Sequence, residues 1–345
     1  MNQFAKTLAA CLATALIATP ILAQRGGDRP TRECVREIVE LCGRDRSQIR
    51  ACLQEKASQL SESCAAEVRK RAQERRGNRE GGQVQFQPSA KVSRTVIYGQ
   101  HQRQQIDVYE PADAVDELPL ILFIHGGGWS FGNHKIAVQS KPKHFNDAGY
   151  YFASTGYRVL PGAPVEDQAK DIGAAIQALR GQASAIGFDP NRIVLMGHSA
   201  GAHLAALVST DPQYAGEAFA AIKGVVLLDS GAYEIASSIA SAEPRSRNLY
   251  LDVFGEDPAR QSALSPVTHV GGADAPNWLA LYVEERAKTQ AQAEMLAGAL
   301  DGAGATAEAV AISNTDHGRL NRELGTEAGA VQTQAVDTFL TRIFS

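Results

Sequence analysis

The stretch Arg192 to Leu207, RIVLMGHSAGAHLAAL, constrains this chain more than any other. A run of apolar, β-prone residues (Ile193, Val194, Leu195, Met196) stops at Gly197-His198-Ser199-Ala200-Gly201, and an alanine-rich, helix-prone segment follows at once. The pattern predicts strand, sharp turn and helix. Gly-x-Ser-x-Gly in that setting is a nucleophile elbow: Gly197 and Gly201 have no Cβ to clash in the tight turn, and Ser199 stands above the strand end. Without a strand before it and a helix after it, the same pentapeptide would mark only a loop.

Strands and helices alternate on both sides of the elbow. Val92 to Tyr98 and Gln105 to Tyr109 read as an opening hairpin, and Leu118 to Ile124 as an apolar strand buried on both faces. Then come a strand from Tyr150 to Leu160, a helix from Val165 to Arg180, and, beyond the elbow, a strand from Gly224 to Asp229. A mixed stretch runs to Val270, where residues 236–270 read either as part of a cap or as a plain surface connection. Strands at Trp278 to Val283 and Ala307 to Ile312 alternate with helices at Ala287 to Leu300 and Ala330 to Ile343. This rhythm predicts an α/β domain over residues 91–345, with a mostly parallel sheet covered by helices on both faces. With 44% hydrophobic residues the chain can fill such a core, and a net charge of −4 gives no sign of a nucleic-acid partner.

The N-terminal part is a different material. Residues 1–23 combine Lys6, an apolar run from Leu8 to Leu22 and the small Ala23, which predicts a signal peptide cut after Ala23 and an exported protein, periplasmic or extracellular. Cys11 leaves with it, and Cys34, Cys42, Cys52 and Cys64 remain, all inside residues 31–76. An even, clustered set in an exported chain predicts two disulfides, with three possible connectivities. The spacings of eight, ten and twelve residues, without a CxxC pair, argue against zinc. Val35, Ile38, Val39 and Cys42 recur at helical spacing, Gly43 breaks the run, and Ile49, Leu53 and Leu60 resume it. Two antiparallel helices would set Cys34 opposite Cys64 and Cys42 opposite Cys52, a nested pairing. Residues 77–90 form a linker. The basic cluster that leads into it (Arg69, Lys70, Arg71, Arg75, Arg76, Arg79) is either a solvated helix end and tether or a contact to an anionic envelope surface, and the helical hairpin of residues 31–76 is the candidate contact to a protein or to the envelope.

A serine hydroxyl is a weak nucleophile at neutral pH, so Ser199 needs a base in hydrogen-bond reach and a third group to orient that base. Of the eight histidines, His198 and His203 flank the serine and are expected to face elsewhere. His125 belongs to a glycine run, His101, His134 and His144 precede the elbow, and His269 comes before the last two strands. His317, in a loop after the last predicted strand, is the candidate base. The acid should follow the penultimate strand, where the sequence reads Val283-Glu284-Glu285-Arg286, and an arginine stands where an aspartate is expected. Asp229, at the end of the strand after the elbow, is the first candidate, because a carboxylate there is costly without a partner; Glu284 and Glu285 are the alternatives. Asp316 adjoins His317 too closely to bond its ring. Backbone N–H groups of Gly127, Gly128 and Ala200 are the candidate oxyanion donors, each typically worth about 3 to 4 kcal/mol at the transition state. Trp129 and Trp278 read either as core or as lining of an acyl or aromatic pocket.

With His125 to Trp129, Tyr157-Arg158 with Pro161, Asp171, Gly197 to Gly201, Ser265-Pro266 and Asp316-His317-Gly318, the chain resembles the α/β-hydrolase superfamily, close to hormone-sensitive-lipase-like and bacterial feruloyl and acetyl esterases. The resemblance implies an α/β-hydrolase fold preceded by a small disulfide-linked helical hairpin. It also implies a serine carboxylesterase acting on a small-molecule ester, with no metal or organic cofactor. A non-catalytic binding protein on the same fold, and an arylformamidase or peptidase, are the other readings. The cysteine segment separately resembles the repeat of Golgi cysteine-rich glycoproteins.

Overall fold

The computed structural model describes residues 31–42, 52, 56, 59–68, 90–112 and 117–345. The predicted signal peptide, Gly43, Ile49, Leu53 and the basic cluster from Arg69 to Arg79 lie outside the described residues. Two compact units divide the chain, Met1–Val84 and Gln85–Ser345.

In the first unit a helix spans Arg32–Cys42 and a second covers residues 62–68. Disulfides join Cys34 to Cys64 and Cys42 to Cys52, with Cα separations of 4.9 and 5.7 Å, so the pairing is nested. Among the described residues the buried core comprises Cys34, Leu60, Cys64 and Ala65. At its edges Glu37 accepts from Ser61 Oγ at 2.7 Å, and Glu67 accepts from Thr31 Oγ1 at 3.0 Å.

Among its described residues the second unit has eight strands: β1 (Arg94–Ile97), β2 (Gln105–Tyr109), β3 (Leu118–Ile124), β4 (Tyr151–Thr155), β5 (Phe188–His198), β6 (Ile222–Leu228), β7 (Asn277–Val283) and β8 (Thr306–Ile312). They pair in the order β1-β2-β4-β3-β5-β6-β7-β8. β2 is antiparallel to both neighbours, and every pair from β4 onward is parallel. The alternation of side chains explains the continuous apolar runs. Leu120, Leu122 and Ile124 of β3 enter one core cluster with the helices Val165–Gly181 and Ala200–Thr210. Ile121 and Phe123 enter the opposite one with Phe145, Val336 and Phe339. Every such side chain is removed from water, at roughly 1.5 to 3 kcal/mol each, so the central strands have no polar face to offer.

The predicted strand from Tyr150 to Leu160 ends at Thr155 instead. Gly156 turns the chain out of the sheet, where a Cβ would meet the Arg103 carbonyl oxygen at 2.4 Å. Beyond it Tyr157 donates its hydroxyl to the His125 carbonyl at 2.7 Å, and Arg158 forms a bidentate pair with buried Asp171. The apolar composition is real, but it belongs to a segment that braces the glycine run rather than to the ladder. The mixed stretch after β6 folds into the helices Ile235–Ser241, Pro244–Phe254 and Pro258–Ala263.

Candidate active site

β5 delivers Ser199 through a turn that only glycines fit. A Cβ on Gly197 would lie 2.2 Å from the Gly201 carbonyl oxygen, and one on Gly201 would lie 2.2 Å from that of Ile124. Ser199 itself takes φ 55° and ψ −119°, a conformation costly for a residue with a side chain, of order 1 to 3 kcal/mol, and typical of functional turns. Its N–H extends the β5–β6 ladder by donating to Leu228 O at 2.9 Å. Ala200 opens the following helix, so its N–H is among those left without an intrahelical carbonyl.

The next strand delivers Asp229. Asp229 N–H donates to Leu281 O at 2.8 Å, and the residue then turns at φ 49°. Its side chain is fully buried. Oδ1 accepts from Val283 N–H at 3.3 Å, and Oδ2 lies 2.6 Å from His317 Nδ1. Burial on its own would raise the Asp229 pKa, but the hydrogen bond from His317 and the charge of Arg286 outweigh it and hold the carboxyl below its ordinary value.

His317 Nε2 lies 3.1 Å from Ser199 Oγ, which completes a relay of Ser199, His317 and Asp229. The histidine is not in a plain loop. It opens the short helix His317–Arg322, capped by Asp316, whose carboxylate accepts the N–H groups of Gly318 and Arg319 at 2.8 Å each. Asp316 therefore shapes the turn that presents the imidazole and makes no bond to it. Glu284 and Glu285 are exposed, while His317 Nδ1 is engaged by Asp229. Arg286 Nη1 reaches the same Asp229 oxygen and lies 2.8 Å from His317 Nδ1.

The sequence reasoning missed His198. Its ring does not face elsewhere: Nε2 donates to the His317 backbone carbonyl at 2.8 Å, and the two rings lie 4.6 Å apart. Loss of water around the ring, followed by the charge of His317, pushes its pKa down to about 3, so it stays a neutral donor. Its place, one residue before Ser199 on a strand edge that faces His317, was the available signal.

The glycine run sits beside the serine. A Cβ on Gly126 would come within 3.1 Å of Ser199 Cβ and 2.8 Å of the His198 carbonyl oxygen. Gly127 and Gly128 follow at φ 137° and 53°, conformations that suit glycine. The run is held from below: His125 is buried, stacks on Tyr157 at 4.3 Å, and bonds the Gly126 carbonyl through Nδ1 at 2.7 Å. Trp129 and Trp278 are buried core rather than pocket lining. Trp129 donates Nε1–H to His203 Nδ1 at 3.2 Å and packs edge-on against Phe254, which ties the helix Pro244–Phe254 to the glycine run. That helix brings the exposed Leu249 to the open side of Gly128, next to the exposed Phe131. The stretch after β6 thus flanks the site, the cap-like alternative of the two.

Residues 106–300 match the BD-FAE family. Among curated relatives, a probable isoprenylcysteine alpha-carbonyl methylesterase ICMEL1 of Oryza sativa subsp. japonica is 30% identical over 51% of this chain and 47% of its own length. A kynurenine formamidase of Danio rerio is 29% identical over 64% of this chain and 73% of its own. The chain spans less than half the length of the first relatives it matches, the methylesterases. Among solved structures, Thermogutta terrifontis esterase 2 phosphonylated by sarin superposes with a TM-score of 0.63 at 23% identity, covering 75% of this chain and 96% of that one. The likeness establishes the α/β-hydrolase fold.

Proposed function

Because the chain belongs to the BD-FAE family, we propose that it is an exported serine carboxylesterase that hydrolyses small acyl esters through an acyl-enzyme intermediate. The observation that carries this reading is the relay from Ser199 Oγ through His317 to buried Asp229. In the reaction Ser199 Oγ attacks the ester carbonyl carbon while its proton passes to His317 Nε2, and Asp229 stabilises the imidazolium so formed. The N–H groups of Gly127, Gly128 and Ala200 receive the negative oxygen of the tetrahedral intermediate. Collapse expels the alcohol, which takes the proton from Nε2. Water then attacks the acyl-enzyme, again giving its proton to His317, and collapse of this second intermediate expels Ser199 Oγ, which takes the proton back from Nε2 as the carboxylic acid leaves. Leu249 and Phe131, apolar and exposed beside Gly128, suit an apolar substituent on the ester. Export is supported by the two disulfides, which persist in oxidising compartments.

The test is hydrolysis of short-chain nitrophenyl esters by the wild type and Ser199→Ala. Loss of the nucleophile should lower kcat by on the order of 10^4- to 10^6-fold. A fluorophosphonate should add covalently to Ser199, as read by peptide mass spectrometry, by analogy with the phosphonylated structural neighbour. Equal rates in the two proteins, or labelling elsewhere, would overturn the reading. The likeness to a formamidase favours one further substrate in the panel, an N-formyl arylamine. If it is cleaved faster than every ester, the bond assigned here is wrong while the serine chemistry stands. If neither esters nor the formamide are turned over, the fold serves as a binding module.

A further inference from the structure

We propose that Arg286 is a positioning residue that competes for His317 and holds part of the protein in a resting state with the imidazole proton on the wrong nitrogen. The inference rests on the reading of Ser199, His317 and Asp229 as a catalytic relay. Arg286 stands just past β7, and its backbone is fixed without help from its side chain. Its N–H donates to Val283 O at 2.9 Å, and its carbonyl accepts from Gln290 N–H and Thr289 Oγ1, both at 3.0 Å. The side chain is 41% exposed, so the guanidinium can swing into water. In the structure it turns inward instead, to the Asp229 oxygen that His317 uses, with Nη1 2.8 Å from His317 Nδ1.

A guanidinium donates hydrogen bonds and accepts none, whereas a neutral imidazole has one donor and one acceptor nitrogen. With the proton on Nδ1, His317 donates to Asp229 and leaves Nε2 free to take the serine proton. Two donors, Nδ1–H and Nη1–H, then crowd one carboxylate oxygen. With the proton on Nε2, Arg286 donates to Nδ1 and lies as the one donor between it and the Asp229 oxygen, whose lone pairs then face the ring nitrogen at 2.6 Å, and Nε2–H faces Ser199 Oγ and has no lone pair for its proton. The second arrangement is chemically silent: in a serine protease, holding the histidine in the wrong tautomer lowers kcat about 10^4-fold. Arg286 pairs with Asp229 in both, but Asp229 gains the Nδ1–H bond only in the first, so the carboxylate favours the productive tautomer and Arg286 opposes it. The choice is made at Nδ1, and each catalytic cycle requires the arginine to yield that position.

The experiment compares the wild type with Arg286→Met, which keeps the side-chain length, removes every donor and leaves the backbone bonds in place. If between half and nine tenths of the molecules rest in the silent tautomer, kcat rises about 2- to 10-fold in the variant with KM unchanged. In parallel, protein labelled with 15N-histidine gives the tautomer of His317 directly, its signals identified by their loss in His317→Gln. The Nδ1–H form should gain population in Arg286→Met. A fall in kcat, or an unchanged tautomer ratio, would overturn the proposal, since a merely supporting arginine predicts the first and an idle one the second. If the wild type turns over no substrate at all, the esterase reading fails and the 15N spectrum alone decides: a shift toward Nδ1–H keeps the competition at His317, and no shift ends it.

Discussion

The two units of this chain reach a defined structure by opposite routes. In the first, the described core is four small or medium residues, two of them the half-cystines Cys34 and Cys64, and covalent links stand in for the packing it lacks. In the second, the sheet is buried on both faces by clusters that draw on residues from β1 to the last helix, and the described cysteines are all elsewhere. The candidate site follows the second route. A rigid, non-local core can hold Ser199 and Asp229 in backbone conformations their side chains disfavour and bring His317, 118 residues beyond the serine, into bonding range. A cross-link between neighbours in sequence constrains only its own segment.

The sharpest way to break this comparison is a single atom change in the second unit set against removal of both cross-links in the first. Asp229→Asn should lower kcat by about 10^4-fold, because the amide orients the imidazole in the wrong tautomer, with little change in KM. Glu284→Gln and Glu285→Gln should each leave ester hydrolysis within a factor of two, about 0.4 kcal/mol, of wild type. A strong effect of either glutamate would return the acid to the end of β7. Opening both disulfides, by reduction of the full-length protein or by serine at all four positions, should remove about 2 to 4 kcal/mol per bridge from the first unit. Far-ultraviolet circular dichroism should then show lost helix while ester hydrolysis persists. Activity that falls with the bridges would show that the two routes are not independent.

A third test concerns pH. Lys141 is fully buried, its Nζ donating to Asn321 O at 2.7 Å and lying 4.8 Å above the Phe123 ring. Burial pushes its pKa down to about 7 from 10.5. The folded state therefore sheds this proton at lower pH than the unfolded state does. Between about pH 7 and 10.5 the unfolded chain binds more protons, so this group makes stability rise with pH across that window. Lys141→Met should flatten the rise, as read from urea midpoints at pH 7 and pH 9, and should raise stability most at the lower pH. Equal slopes in the two proteins would mean that the ammonium is hydrated after all.

Much of this was legible in the sequence, and the gaps have physical causes. The elbow and the glycine run are local signals, since each depends on glycine where the backbone demands it, and the histidine after β8 was legible from its place in the order of elements. The nested disulfides follow from cysteine number and the geometry of two short helices. The carboxylate that meets His317 was legible only as a choice between Asp229 and two glutamates, because what separates them is the register of β6 on β7, which puts Asp229 beside Val283 and leaves Glu284 outside. The strand from Tyr150 was read five residues too far at its C-terminal end because apolar character does not distinguish a ladder from a brace; Gly156 was the break. His198 was set aside because proximity in sequence to the nucleophile suggested nothing about its proximity in space to the base.

The smallest effect bears on specificity, where the non-local unit meets solvent. Leu249 is carried by the helix Pro244–Phe254, whose placement depends on Phe254 against Trp129 and on Tyr250, which donates its hydroxyl to Gly231 O at 3.3 Å. The helix is thus anchored at the glycine run and near the acid at once, and Leu249 reaches Gly128 as a consequence. Its side chain is already partly exposed, so contact with an ester substituent hides only part of it, and truncation should cost about 1 kcal/mol, well below a full burial. Leu249→Ala is expected to lower kcat/KM about fivefold, the equivalent of that energy, for a butyrate or longer ester and less for an acetate. The loss should fall on KM, because the contact is made equally before and during the reaction. A loss confined to kcat and equal for both esters would instead place Leu249 among the groups that hold the glycine run in shape, and the wall of the site would have to be sought on another element.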